Sequence, residues 1–405
     1  MEQRRVTRKT TRESGGQLPD FPTTISASEA LEYSIGNWTK VRKIQDQCNS
    51  DQKISIGKTQ IFKLGDLPDE VILKMFSYLS VKDLMNCGQV SERIRSISHD
   101  ETLWQKVNLY RLKVSTEFLQ MILNNGCKHL SLKRSDLVGN LCHGNTSQLK
   151  YLDLDNCSDL GCRSYPGVKV QEDLLASCYS LEILSLAHQP ITSEIVRNIC
   201  YQNGKTLQIL DLCGSDVFSR GQFNVDVMKQ IICNCTELRE LDLSFVPIPP
   251  DTLDFLAKNL TPKIKRLNLY YQRDLKDEHV NALVRRCNKI TDLNLDGTTI
   301  SKVSLMSIIA NLKHTLEKLR LPGWQNIHHK SLIQLKSLTR LKFLDCDLTC
   351  DCCGFKSLRK KLPHVSITNS RDGRVKELQH HFIGAIAEFS HPHCRCLKCL
   401  ERNKF

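Results

Sequence analysis

The sequence predicts an α/β solenoid: a small all-α module followed by a curved array of units, each giving one strand and one helix. Two observations carry that expectation. An L-x-x-L-x-L pattern recurs along most of the chain, and a short helical segment too apolar for its length stands just ahead of it. The 405 residues, 40% hydrophobic, suffice for a large core, yet no apolar run approaches the roughly 18 residues needed to span a bilayer.

The recurring segments are CKHLSL (127), LKYLDL (149), LEILSL (181), LQILDL (207), LRELDL (238), IKRLNL (264), ITDLNL (290), LEKLRL (316) and LTRLKF (338), at intervals of 22, 32, 26, 31, 26, 26, 26 and 22 residues. This is the pattern and period of a leucine-rich repeat. Between them lie SEIVRNICYQ, VDVMKQIICNC, PDTLDFLAKNL, DEHVNALVRRC and VSLMSIIANL, with apolar residues three and four apart, as in amphipathic helices. One such unit cannot bury its apolar edge alone and must stack on its neighbours. Cys178, Cys235 and Cys287 each precede the first strand leucine or isoleucine by three residues, which reads as a packing position at a helix end. The two longest units carry inserts near GCRSYPGVKV and GSDVFSRGQFN, expected as loops beyond the strand ends.

Ahead of the repeats stands LGDLPDEVILKMFSYLSVKDL at 64–84. Pro68 suits a first helical turn, and Asp69 and Glu70 favour the positive end of the helix it opens. Val71, Ile72, Met75, Phe76 and Leu79 make an apolar stripe too wide for a short helix exposed to water. Ser80 and Asp83 form a capping box for a second helix, Ser91 caps a third, and LWQKVNL at 103–109 closes the module. At about 45 residues it lies near the lower limit of autonomous stability.

Leu67-Pro68-Asp69-Glu70, Phe76-Ser77-Tyr78-Leu79, Lys82-Asp83-Leu84, Gln89-Val90-Ser91 and Leu103-Trp104 together resemble an F-box, with Ile94 where that family commonly carries Trp. The resemblance implies a module that docks on the small adaptor of a cullin-RING, SCF-type ubiquitin ligase, with a cullin and a RING protein reached through the adaptor. It implies adaptor-facing roles for Leu67, Pro68, Val71, Phe76, Leu79, Leu84 and Val90, with Trp104 bracing the module against the first repeat. The bland alternative makes these the core of a helical cap. YYQRDLKDEHVNALVRRCNKITDLNL and LPHVSIT are similar to the S-phase kinase-associated branch of F-box/leucine-rich-repeat proteins.

The expected organisation is a basic arm over 1–60, the F-box over 61–109, repeats over 110–355 and a basic Cys/His-containing tail over 356–405. The net charge of +13 gathers at the ends: residues 355–405 hold eleven Lys/Arg against four Asp/Glu, and residues 1–63 eleven against seven. Such ends read as solvated tails rather than as a nucleic-acid surface. The N-terminal MEQRRVTRKTTRESGG lacks the apolar core of a secretory signal, so cytoplasmic or nuclear residence is expected, and Arg4, Arg5, Arg8, Lys9 and Arg12 resemble an import cluster. Nineteen cysteines in a long chain without such a signal read as reduced thiols.

By strand alternation the third, fifth and seventh positions of each segment face away from the helices. That face is expected to be acidic along most of its length, through residues such as Asp153, Asp155, Asp211, Asp242, Asp292 and Asp296, and basic at its end. Lys318, Arg320, Arg340 and Lys342 are read onto two adjacent strands as the pocket for a phosphorylated or acidic protein substrate, with Trp324 as an apolar anchor. Cys346, Cys350, Cys352 and Cys353, and then His391, His393, Cys394, Cys396 and Cys399, form two dense groups. Cys346, Cys350, Cys394, Cys396 and Cys399 are the candidate ligands for a structural zinc that clasps the tail to the last repeat; accessible thiols without metal are the alternative. No cofactor is otherwise implied, and no Walker loop, dinucleotide fingerprint, nucleophile elbow or zinc-protease helix appears. The function the resemblance implies is non-catalytic, the substrate-recognition subunit of a ubiquitin ligase, with a ligase-independent repeat scaffold or inhibitor as the alternative. RNA binding through the basic tail is a third reading.

Overall fold

The computed structural model describes residues 64–139, 148–159, 169–189, 191–215, 223–322, 327, 329–346 and 352–368. Residues 64–66 form a 3-10 turn in a first unit. The second unit begins at Leu67.

Three short helices come first: α1 (Asp69–Phe76), α2 (Val81–Cys87) and α3 (Glu92–Ser98). Their starts follow from the caps. Pro68 is the residue before α1, Ser80 Oγ accepts the Asp83 N–H at 3.2 Å, and Ser91 Oγ accepts the Ile94 N–H at 3.3 Å. Ile72, Phe76, Leu84, Met85, Ile94, Ile97 and Trp104 are the buried core of this module.

The solenoid follows as β1 (Lys106–Asn108), β2 (Lys113–Ser115), α4 (Thr116–Asn124), β3 (His129–Ser131), β4 (Asp136–Val138), β5 (Tyr151–Asp153), β6 (Ser158–Asp159), α5 (Lys169–Ala176) and β7 (Ile183–Ser185). It continues as α6 (Ser193–Asn203), β8 (Ile209–Asp211), α7 (Val225–Asn234), β9 (Glu240–Asp242), α8 (Pro250–Asn259), β10 (Arg266–Asn268), α9 (Asp277–Arg286), β11 (Asp292–Asn294) and α10 (Lys302–Leu312). Last come β12 (Lys318–Leu321), α11 (His329–Leu332), β13 (Phe343–Cys346), α12 (Cys352–Lys361) and β14 (Ser366–Thr368).

Eleven strands form one parallel sheet in the order β1, β3, β5, β7, β8, β9, β10, β11, β12, β13, β14, and β2, β4 and β6 form a second. In the large sheet the central residues stand in register, from Val107 through Leu130, Leu152, Leu184, Leu210, Leu241, Leu267, Leu293, Leu319 and Leu344 to Ile367, and all are buried. That column, packed against the helices, is the core. Cys178, Cys235 and Cys287 are fully buried, in the expected packing role.

Three expectations change. The sheet takes in β1, which lies inside the segment read as the close of the F-box, and β14, which lies inside the segment read as tail; each extends the apolar column by one buried residue, Val107 and Ile367. The small β2-β4-β6 sheet was not foreseen, because its strands are two or three residues long and carry no alternating pattern. The ninth strand is LKFLDC, not LTRLKF, since β13 pairs Lys318 with Phe343 and Arg320 with Asp345. The inserts expected near GCRSYPGVKV and GSDVFSRGQFN lie largely outside the described residues.

Five of the strands, β5, β8, β9, β10 and β11, are ended by their own side chain. At the fifth position, Asp153, Asp211, Asp242, Asn268 and Asn294 each use Oδ1 to accept the N–H two residues on, at 2.9–3.1 Å. A left-handed residue follows: Asn156, Gly214, Phe245, Tyr271 and Gly297 all have φ between 51° and 70°. The second carboxylate oxygen is satisfied from the neighbouring strand, Ser131 donating to Asp153, Ser185 to Asp211 and Asn268 to Asp242, at 2.8–3.0 Å. The fifth-position acids are thus buried or partly buried structural acceptors rather than the open acidic stripe expected from alternation.

Asp211 and Asp242 stand opposite each other on β8 and β9. Burial, and then its facing carboxylate, push Asp211 well above the ordinary range, and burial raises Asp242 as well. A carboxyl whose folded pKa is raised holds its proton more tightly in the folded chain, so stability falls as pH climbs above about 4 and through the folded value. Asn already fills this position on β10 and β11. Asp211→Asn is therefore expected to raise stability near pH 7 by about 1 kcal/mol and to flatten the decline above about pH 4, measured by urea unfolding across that range.

Candidate functional site

Two surfaces are candidates: one on the helical module, one on the face of the sheet turned away from the helices. On α1 the apolar residues divide into adjacent stripes. Ile72 and Phe76 point inward, whereas Val71 and Met75 are 43% and 47% exposed. Leu79 (37%), Tyr78 (78%) and Val90 (74%) extend that exposed set across the ends of α1 and α2. Such a concentration of uncovered apolar side chains on one small module makes it a candidate interaction surface.

Arg93 fixes its edge. Its guanidinium donates to the Leu67 carbonyl at 2.6 Å and to Asp69 Oδ1 at 2.7 and 2.9 Å, tying the Leu67-Pro68 entry to α3. Leu67 is half-buried and Pro68 exposed, and Lys74 lies 5.2 Å from the Tyr78 ring. Of the residues expected on this surface, Leu67, Pro68, Val71, Leu79 and Val90 are at least partly exposed. Phe76 and Leu84 are 4% exposed and belong to the core instead; the period that puts them on an apolar stripe is the same for either role. Met75, Tyr78 and Arg93 were missed. Trp104 is buried: Nε1 donates to the Ser98 carbonyl at 2.8 Å, and the ring meets Phe118 of α4 edge-on at 6.2 Å, which joins the module to the first repeat.

On the sheet face, the expected basic pocket comes apart. Arg320 is buried, with Nη1 3.0 Å from Asp292 Oδ1 and the Phe343 ring 5.5 Å from its guanidinium. Arg340 and Lys342 fall ahead of β13 and pair with Glu317, at 3.8 and 2.8 Å. The three-residue register shift removes them from the third and fifth positions, where Phe343 and Asp345 stand. Lys318 remains exposed on this face; Trp324 lies outside the described residues.

A trough of about 420 Å³ crosses the face near the entry ends of β8 to β12. Its floor holds Glu240, paired with Arg266, and Asp292; burial raises both carboxyls, and the neighbouring guanidinium counters that rise in each case. Further along, Asp155 bonds His188 Nδ1 at 2.9 Å and Lys133 at 2.7 Å. Burial opposes its ionisation, but these partners outweigh burial and hold its pKa down at about 2.

Cys346 fills the strand position that Leu321 fills on β12 and is buried. Its proposed co-ligands, Cys350, Cys394, Cys396 and Cys399, lie outside the described residues. Among the described residues no cluster of three His, Cys, Asp or Glu is arranged to hold a metal, and no helix is long and apolar enough to cross a membrane.

Residues 117–375 match the family described as the SKP2 LRR domain, and residues 64–110 match the F-box-like family. Over 53 residues the chain is 42% identical to the ubiquitin ligase complex F-box protein UFO1 of Saccharomyces cerevisiae, which covers 13% of this chain and 8% of that protein. EEED8.10 of Caenorhabditis elegans, named as a candidate RNA-binding protein, is 23% identical over 390 residues, 80% of this chain and 52% of its own length. The chain thus spans about half or less of these relatives. A chain from the crystal structure of the yeast Rad7 and Elc1 complex aligns at 13% identity with a TM-score of 0.38, covering 85% of this chain and 98% of that one.

The burial pattern separates core from surface in the module. Trp104→Ala is expected to cost about 3–5 kcal/mol of stability, whereas Tyr78→Ala should change it by less than about 0.5 kcal/mol, both read from thermal or urea unfolding.

Proposed function

The chain belongs to the SKP2 leucine-rich-repeat family, with an F-box-like module ahead of its repeats, and from that premise we propose that it is the substrate-recognition subunit of a cullin-RING, SCF-type ubiquitin ligase. The module docks on the ligase's adaptor, the repeats hold the protein to be modified, and the cullin and RING protein follow through the adaptor. Ubiquitin transfer belongs to those partners, so this chain is a receptor rather than a catalyst, and it acts in the cytoplasm or nucleus.

One observation carries the reading. Val71, Met75, Tyr78, Leu79 and Val90 stay uncovered on a module that already has its own buried core. At about 25 cal/mol per Å² of apolar surface, a partner that covers such a set gains several kcal/mol before the costs of association. An isolated cap on a solenoid has no use for that exposure.

Val71→Glu and Val90→Glu place charge on the exposed stripe without touching the core. Each is expected to leave the unfolding midpoint within a few degrees of wild type and to weaken capture of the purified adaptor by about tenfold or more, read by surface plasmon resonance. Adaptor capture by both variants at the wild-type level overturns the proposal.

A further inference from the structure

The trough over β8 to β12 has a charge balance of its own. Each carboxylate in it is already engaged: Glu240 with Arg266, Asp292 with Arg320, and Glu317 with Lys342 and Arg340. Three cations that line the same trough, Arg239, Lys265 and Lys318, enter no ion pair among the described residues, and all three are exposed. The paired floor therefore presents little net field, and the potential above it comes from those three positive ends. Lys265 acts on Glu240, and Lys318 on Asp292 and Glu317, through space, but none of the three cations closes into an ion pair among the described residues, so their exposed charged ends are open to a group from outside.

Their spacing says what fits. Parallel strands stand about 4.8 Å apart, so Arg239 and Lys265, entering β9 and β10, are about 5 Å apart, and Lys318 on β12 lies about 10 Å beyond Lys265. A single small anion reaches the first pair but not the third cation. An extended polypeptide lying across the strands rises about 3.3 Å per residue and presents alternate side chains to one face, so two groups four residues apart, about 13 Å, meet the pair and Lys318 together. The trough is lined from five successive strands, and its long direction is the one such a segment needs.

We propose that this trough binds an extended acidic segment of a partner protein, with carboxylates at positions i and i+4, one held between Arg239 and Lys265 and the other on Lys318. The inference names the class of segment that the receptor recognises and rests on the receptor reading for its biological sense. Nothing in it involves the helical module.

The test is a selection from random twelve-residue peptides displayed on phage, carried out on the purified full-length chain with no adaptor present. Wild type is expected to enrich Asp or Glu in pairs four residues apart. The Lys265→Glu/Lys318→Glu chain, shown to be folded by its unfolding midpoint, is expected to lose that enrichment by about tenfold or more. A charge-matched Lys205→Glu/Lys313→Glu chain, altered outside the trough, should keep it. Binding of a synthetic selected peptide should also weaken with added salt, as contacts between exposed charges do. Acidic enrichment without fixed spacing, enrichment that survives in Lys265→Glu/Lys318→Glu, or equal loss in the charge-matched control overturns the proposal. So does a single-stranded RNA oligonucleotide that binds wild type and not the trough variant when no peptide is enriched. Since no adaptor is involved, failure here leaves the ligase proposal standing, and loss of the ligase proposal leaves the selection result intact.

Discussion

The solenoid depends on the column of buried central residues that runs through all eleven strands, and in five of them the fifth-position side chain ends the strand by accepting the N–H two residues downstream. It caps the strand after three residues, and the left-handed residue that follows turns the chain out of the sheet toward the helix layer. The bond ends five of the strands, while β3 and β7 are equally short with Ser131 and Ser185 at the same position, so the eleven central residues owe their register to the stacked apolar column itself. Asp and Asn serve here because each offers an acceptor at the right reach, and the same atoms in mid-strand would compete with the ladder.

That choice has a consequence at Asp153, Asp211 and Asp242, where a carboxyl rather than an amide does the capping and burial raises its pKa. Each carboxylate has a second oxygen to satisfy, and the Ser or Asn on the adjacent strand supplies the donor. The row of left-handed turns shows a matching accommodation. Gly214 stands where a Cβ would come 2.9 Å from the His188 ring, and Gly297 where it would come 3.2 Å from Tyr271. At these two turns a large side chain is followed by glycine, which answers both a positive φ and a close neighbour, whereas Phe245 is followed by Tyr271.

Most of this architecture was legible in the sequence because the leucine period is stronger than any local propensity. The exceptions have physical causes. Leu338, Leu341 and Leu344 are evenly spaced by three, so L-x-x-L can be laid on either pair; the neighbouring unit decides, with Leu341 standing 25 residues after Leu316. Strand alternation assigns the fifth position to the open face but is silent on burial, and so made a surface of Asp242 and Arg320, both 7% exposed. In the helical module, residues 71 and 72 are neighbours on a wide apolar face, and periodicity does not say which of them another protein will cover. The exposure of Val71 beside the complete burial of Ile72 required the packed structure.

The two candidate surfaces are opposite in chemistry, yet both are defined by internal satisfaction. In the module the core closes around Ile72, Phe76 and Trp104 and leaves a second apolar stripe over; in the trough the carboxylates close around Arg266, Arg320 and Lys342 and leave three cations over. Composition alone hides both remainders, since the apolar content is what any folded module needs and the trough's excess of positive charge appears only once its ion pairs are assigned. Once the internal partners are assigned, what remains on one surface is apolar and on the other is positive. The two surfaces differ in their response to salt, because apolar burial persists at physiological salt while contacts between exposed charges are screened and exchange readily.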